Sequence, residues 1–423
     1  LHSILRAVTG NLDVVGGETL GGFNPDMIPE SELALHEVLS DEQKAKQLGY
    51  EKHPAYTYRV AEMLKTPTER VWGYPYADIV MGCHMANPSE VFRAMAYGDP
   101  YPIKAFFVLG NNALMSYPNQ HQIHKAMLNQ DLIVAHELFM TPTAMMADYV
   151  LPGDAFSERN HIADTWSWTT RLGLSQKLAE PPEQASNSYQ FWRDLAVRFG
   201  FEEWFPWSTH DEVLDYRLSR SGRSFSDFEA QGFMEIPPVR YRKYRKTGFA
   251  TPSGKVELSS SVLGDLGFDP LPYFRPGPAT SEEFPYLVFN GVREDPFFQT
   301  GQRNIKELRD RCPVPRIFMH PDDAKREALS DGEWIELQTA YGAVSAELSV
   351  QPNMKTGHLR VPHGWWYPEA TDTETLAGAF LSSDAVLCSD DDELLDHEQG
   401  IPHFKGFPGR VVKAAKPHAI GAA

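Results

Sequence analysis

Two polar loops in this sequence carry residue types suited to holding an anionic ligand. The first, "GNNAL", follows the apolar run "IKAFFVLG" and sets Gly110, Asn111 and Asn112 side by side. Glycine lets a ligand approach the backbone closely, and each asparagine offers both donor and acceptor. At the C-terminal edge of a parallel sheet, such a loop cradles phosphate with backbone N–H groups. The same residues also suit an ordinary turn after a strand. The second loop, "FNGVREDPFFQT", ends an apolar run with Asn290, Gly291 and Arg293 and continues to Gln299 and Thr300. The Arg293 guanidinium is a fork of fixed donors matched to phosphate, unless Glu294 or Asp295 claims it as an ion pair. His121 and His124 stand three apart, a spacing metal ligands use on a helix. No third ligand accompanies them, and a solvated helix face is the plainer account. Cys83, Cys312 and Cys388 lie far apart and form no CxxC pair. They read as three buried thiols, with no iron–sulfur or zinc–thiolate site.

Such loops need a sheet behind them, and the flanking pattern supplies one. "IKAFFVLG" (Ile103–Gly110) reads as a fully buried strand. A helix follows over "QHQIHKAML", with Ile123, Ala126 and Met127 on one face. "DLIVA" is the next strand. Thr141 then caps a very short helix opened by Pro142, where a missing N–H costs nothing. Met145 and Met146 fill core there, and "YVLPG" is a third strand. Strand, helix, strand, short helix, strand predicts a parallel sheet, its loops gathered on one edge by right-handed crossovers. The proline-rich stretch "FRPGPATSEEFP" reads as a linker into a second, β-rich region. There "EWIELQTAYGAVSAEL" alternates with period two around a Tyr-Gly turn, a hairpin signature, and "HPDDAKREAL" is a short helix. Several short strands in this region predict a compact β-barrel.

Composition narrows the class. The chain has 423 residues, enough for two or three domains, and a formal net charge of -18. That charge, with scattered Lys and Arg, argues against a nucleic-acid partner. No apolar run is long enough to cross a bilayer. The sequence opens on "LHSILRAVTGNLDVVGG", which reads as the middle of a helix, so the chain is expected to be a fragment with any localisation signal upstream; a cytoplasmic setting is the working expectation. Absence of GxGxxG and GxxxxGK[ST] patterns disfavours an unrelated nucleotide-binding α/β protein.

Taken in order, these motifs resemble the C-terminal half of molybdopterin enzymes of the dimethyl-sulfoxide-reductase superfamily. The resemblance rests on "FFVLGNNAL", "FMTPTAMMADYVLPG" with Glu158 beyond it, "ATPSGKVEL", "FNGVREDPFFQT", "MHPDDA", "VPHGWW" and "DHEQGIPHFKG". It covers nearly the whole chain and is similar in detail to acetylene-hydratase-like members. It implies an α/β parallel-sheet region, dimethyl-sulfoxide-reductase-like and partial, over 1–280 with its sheet core near 90–200. A double-psi β-barrel that binds the molybdopterin dinucleotide follows over 281–423.

The resemblance also implies a cofactor, bis-molybdopterin guanine dinucleotide with Mo or W, and assigns Gly110, Asn111 and Asn112 to it. After "DLIVA" the family places an acidic residue on the guanine edge; here Ala135 is followed by His136 and Glu137. A histidine lacks a bidentate carboxylate edge, so either Glu137 substitutes in a shifted register or one hydrogen bond remains. Asn187 stands where relatives often carry aspartate. In the barrel, Asn290, Gly291, Arg293, Gln299, Thr300, His363, Gly364 and Lys405 match cofactor-contact positions, while Trp365 and Trp366 suit packing as well as stacking. The family's metal ligand and any iron–sulfur cluster belong to the missing N-terminal half. Expected partners are that half, a small-molecule substrate and an iron–sulfur electron-transfer subunit. The alternative is a non-catalytic subunit or relic that retains dinucleotide binding only.

Overall fold

The computed structural model describes residues 2–21, 26–76, 85–163, 171–235, 238–274, 276–370, 374–402 and 405–417. The chain divides into two compact units: Leu1–Asn87 with Gly153–Phe274, and Pro88–Pro152 with Arg275–Ala423. One boundary falls inside the proline-rich stretch read as a linker. The contacts do not follow a single cut at 280/281, because the parallel-sheet segment packs in one unit with the barrel.

In the second unit, strands β1 (Ala105–Leu109), β2 (Leu132–Glu137) and β3 (Tyr149–Pro152) form one sheet in the order β1-β2-β3. Both pairings are parallel, as the alternation of strand and helix requires. Among the described residues β1 has one neighbour, and Val108 alone is buried along it, rather than the whole strand as expected. Central β2 buries Ile133, Val134, Ala135 and His136. The helix Gln120–Leu128 starts at Asn119, whose side chain accepts the Gln122 N–H, and it buries Ile123, Ala126 and Met127 together. Burying Ile123 and Met127 contributes roughly 1.5–3 kcal/mol each. Thr141 caps as expected, its Oγ1 accepting from the Ala144 N–H at 3.1 Å, but only a single turn, Ala144–Met146, follows. The His121 and His124 rings pack on Phe380 at 5.1 and 5.3 Å. Among the described residues no three potential ligands gather into a metal site.

The first unit contains an antiparallel sheet of β4 (His161–Ala163), β5 (Arg171–Ser175) and β6 (Phe233–Glu235). Ile162, Leu174 and Met234 pack there against Leu214, Leu218, Phe225 and Phe228. The helix Tyr58–Trp72 ends at Gly73, whose φ of 79° is left-handed and suits glycine. Beside it, Lys44 is buried and donates to Glu62 at 2.6 Å and to the Tyr76 hydroxyl at 2.7 Å. The stretch "SNSYQFWRDLAVRFG" forms the helix Ser188–Arg198.

The rest of the second unit is a closed six-stranded barrel in the order β10-β8-β11-β7-β12-β9. Its strands are β7 (Tyr286–Val292), β8 (Arg316–Met319), β9 (Trp334–Gln338), β10 (Ala343–Val350), β11 (His358–Pro362) and β12 (Lys405–Lys413). β7 with β11 and β8 with β10 are parallel; the remaining pairings are antiparallel. The β9–β10 hairpin turns the alternating residues Ile335, Leu337, Val344, Ala346 and Leu348 into the barrel core. Trp366, Leu376, Ala377 and Ala379 leave the barrel and join Met95, Leu114 and Ile123 in the core beneath the sheet. That shared core is why residues 88–152 pack with the barrel. Trp365 packs with Phe297 and Tyr367, so both tryptophans are packing residues.

Candidate functional site

At the edge of the parallel sheet, Gly110 leaves β1 with φ +57° and donates its N–H to the His136 carbonyl at 3.0 Å. A Cβ at Gly110 would meet nothing within 4 Å, so the backbone there faces open space. Asn111 is exposed. Asn112 is buried, and its Oδ1 accepts from the Thr143 hydroxyl at 2.7 Å. That hydroxyl in turn accepts the Leu114 N–H at 3.0 Å, so Thr143 ties the loop after β1 to the loop after β2. Asn112 Nδ2 remains a buried donor without a partner. Its place at the sheet edge makes it available to a ligand acceptor.

The strand β2 runs on to Glu137, because β3 pairs with it as far as Pro152. Ala135 lies in the strand as expected, His136 and Glu137 extend that strand beyond "DLIVA", and His136 is buried. Glu137 is the acid at the strand end. Burial pushes its carboxyl up from the ordinary range, partly offset by the Leu138 N–H donated to it at 3.0 Å.

The barrel turns are held by charge. The Asp384 carboxylate, 1% exposed, accepts the Gly364 N–H at 2.7 Å and the Gly291 N–H at 3.1 Å. It also meets His363 Nδ1 at 3.0 Å. Burial by itself would depress His363, but the Asp384 carboxylate outweighs it and holds the imidazolium above its ordinary value. Arg303 is buried and donates to the Gln299 carbonyl at 2.6 Å and to the His363 carbonyl at 2.7 Å. Its guanidinium lies 4.9 Å from the Phe297 ring centroid and 5.1 Å from that of Trp365. Burial lowers its pKa to about 10, against the pull of Glu294 and Asp384. Thr300 is buried and accepts the Trp366 indole N–H at 2.8 Å, with Gly364 packed against its methyl. Gln299 has φ 53°.

Arg293 is exposed, and its guanidinium stacks on Phe298 at 4.7 Å. Its backbone carbonyl accepts from Arg360. Lys405 opens β12 opposite Phe289, one residue from Asn290, and is also exposed. Asn290 is fully buried, donating to Cys388 Sγ at 3.0 Å, while its Oδ1 has no partner. Asn187 belongs to the first unit. It caps the helix Ser188–Arg198 through the Tyr189 N–H at 2.7 Å, and its amide donates to Asp154 at 3.2 Å. Cys312 and Cys388 are buried thiols, Cys312 pushed up to about 12 and Cys388 higher still, both chiefly by burial. Cys83 lies outside the described residues. Thr143, Arg303 and Asp384, which no sequence motif marks, hold these loops in place through hydrogen bonds. Asp384 carries a weak signal: it stands apart from the acidic run, among the small and apolar residues of "SSDAVLC".

The donor set fits a pterin dinucleotide. It includes an open glycine, an orphaned amide donor, a carboxylate at a strand end, and two exposed cations at the barrel mouth. These features suit dinucleotide binding, and sequence comparison gives the class. The chain belongs to the molybdopterin oxidoreductase family, whose sequence model matches residues 58–198; the molydopterin dinucleotide binding domain matches residues 287–391. Acetylene hydratase of Syntrophotalea acetylenica is 43% identical over 422 residues, covering 98% of this chain and 57% of that protein. The solved acetylene hydratase from Pelobacter acetylenicus superposes with a TM-score of 0.92 at 42% identity, over 97% of this chain and 58% of that one. Dopamine dehydroxylase of Eggerthella lenta is 23% identical over 500 residues, 97% of this chain and 46% of that protein. The chain thus spans about half the length of these relatives. No described helix is long and apolar enough to cross a membrane.

Proposed function

We propose that this chain is the C-terminal cofactor-binding portion of a molybdenum- or tungsten-dependent enzyme that works as an acetylene-hydratase-like hydratase. In that reaction water adds across a carbon–carbon triple bond and the enol rearranges to the aldehyde, without net oxidation. The likeness to acetylene hydratase over 98% of the chain is the observation that carries the reading. Bis-molybdopterin guanine dinucleotide, when bound, supplies a metal centre for activating water or substrate. The protein's own residues bind and orient it. Asn112 Nδ2 offers a donor to a pyrophosphate that the open Gly110 lets approach, Glu137 an acceptor pair for a guanine edge, and Arg293 and Lys405 charge for the second dinucleotide.

In this reading the metal ligand is not Cys312 or Cys388, since both thiols are buried, Cys312 in the cluster with Phe297 and Trp365 and Cys388 in the barrel core. The ligand, any iron–sulfur cluster and the substrate pocket are supplied by sequence outside these 423 residues. Metal analysis tests this. The 423-residue chain purified alone should hold neither Mo nor W stoichiometrically and hydrate no acetylene. Joined to an upstream half, it should carry the metal and pterin. About one tightly held metal atom per isolated chain would overturn the split-site reading.

A further inference from the structure

The run "SSDAVLCSDDDE" reads from composition as an acidic stretch, yet Ser383 through Asp390 are all buried. Its two ends reach different parts of the second unit. At one end, Asp384 gathers the Gly291 and Gly364 N–H groups and His363, and so pins the end of β7 and the turn after β11. At the other, Asp390, 5% exposed, accepts from Asn119 Nδ2 at 2.7 Å and Gln122 Nε2 at 3.0 Å. Asn119 and Gln122 stand at the start of the helix Gln120–Leu128, which the short helix Ala113–Ser116 separates from the Gly110–Asn112 loop. Between the two acids, the Cys388 carbonyl accepts the Asn119 N–H at 3.0 Å and its Sγ accepts from Asn290. One buried segment therefore bonds both to the barrel ends assigned to the dinucleotide and to the start of the helix Gln120–Leu128, which lies downstream of the loop after β1.

An apolar strap would join the same elements without desolvating two carboxylates. What the carboxylates add is direction: each fixes two N–H groups at hydrogen-bond length, setting the spacing of the elements they come from. We propose that Asp384 and Asp390 are positioning residues for dinucleotide binding, the two ends of a clasp that sets the barrel turns against the loop after β1. The inference rests on the cofactor-binding reading above. Both acids bond to protein donors, so they act through the loops they hold.

The test uses the full chain freed of cofactor, with guanosine diphosphate as probe, titrated calorimetrically alongside thermal melts. Asp384→Asn keeps the size but sets an amide donor against a glycine N–H. It should weaken binding about tenfold, the scale of one lost charge-assisted hydrogen bond. Asp390→Asn faces side-chain amides that can rotate, and should cost about threefold. Because one clasp has two ends, the double variant should bind about as weakly as Asp384→Asn alone. Variants that melt lower yet bind with wild-type affinity would reduce the segment to ordinary core and overturn the proposal, as would losses that multiply in the double variant. Should Asp384→Asn not fold, unchanged affinity in Asp390→Asn is sufficient to overturn it. A wild-type chain that takes up no guanosine diphosphate would remove the cofactor-binding reading, and this inference with it. Wild-type binding with unaffected variants removes this inference alone.

Discussion

The loop after β1 and the ends of β7 and β11 carry similar residues, glycines and asparagines, but they are held in place differently. Asn112 and Thr143 lock the sheet-edge loop with neutral hydrogen bonds. The barrel turns are locked by a buried carboxylate, a buried guanidinium and an imidazolium. A parallel sheet already fixes the direction of its strand ends, so a hydroxyl and an amide are enough to set the loop. The barrel has no such edge. Its turns diverge from separate strands, and long, charged side chains reach across to gather them. Neutral locks should be indifferent to pH and modest in energy; charged locks should be costly to break and pH-dependent.

The largest effect should follow Asp384→Ala, which strands two glycine N–H groups and the partner of His363. Loss of about 3–5 kcal/mol is expected, the usual cost of breaking a buried charged cluster from one side. Denaturant unfolding of the chain measures it, and a loss comparable to that at Thr143 would erase the contrast between the two loops. Thr143→Val removes only the neutral hydroxyl lock; about 1–3 kcal/mol should be lost, equally at pH 6 and pH 8.

The pH dependence sharpens the contrast further. His363 is held above its ordinary 6.5 in the folded state. Its contribution is therefore fully present below about pH 6.5 and lost as pH rises through the raised value. His363→Gln should flatten that part of the stability profile, while Thr143→Val leaves it intact. A wild-type profile with no fall above neutral pH would contradict the charged lock. Arg293→Ala should give the smallest change in stability, within about 0.5 kcal/mol, because its guanidinium is exposed on Phe298. It should nonetheless lower the pterin content of the loaded protein, measured by fluorescence after oxidation.

Much of this was legible in the sequence for a physical reason. The strands β1, β2 and β3, the helix over Gln120–Leu128 and the β9–β10 hairpin are local patterns: an apolar period, a cap, a turn. Gly110, Asn112, Asn290 and Arg293 announced themselves because polar and glycine residues that end apolar runs are unusual. The register of β2 did not: its last residues are set by pairing with β3, which placed His136 in the sheet rather than the loop. Asp384 and Arg303 were invisible because their role depends on partners about 20 to 93 residues distant, brought together only by barrel closure. Nor did the sequence show that Trp366 leaves the barrel for the core beneath the sheet.

The central claim, that the sheet-edge loop and the barrel turns bind one class of ligand, has a direct test in hydrogen–deuterium exchange of the cofactor-free chain with and without guanosine diphosphate. The account predicts slowed exchange in peptides covering Gly110–Met115 and Asn290–Thr300, with the helix Tyr58–Trp72 in the other unit unchanged. Exchange unaltered at both loop sets, or slowed only elsewhere in the chain, would contradict it.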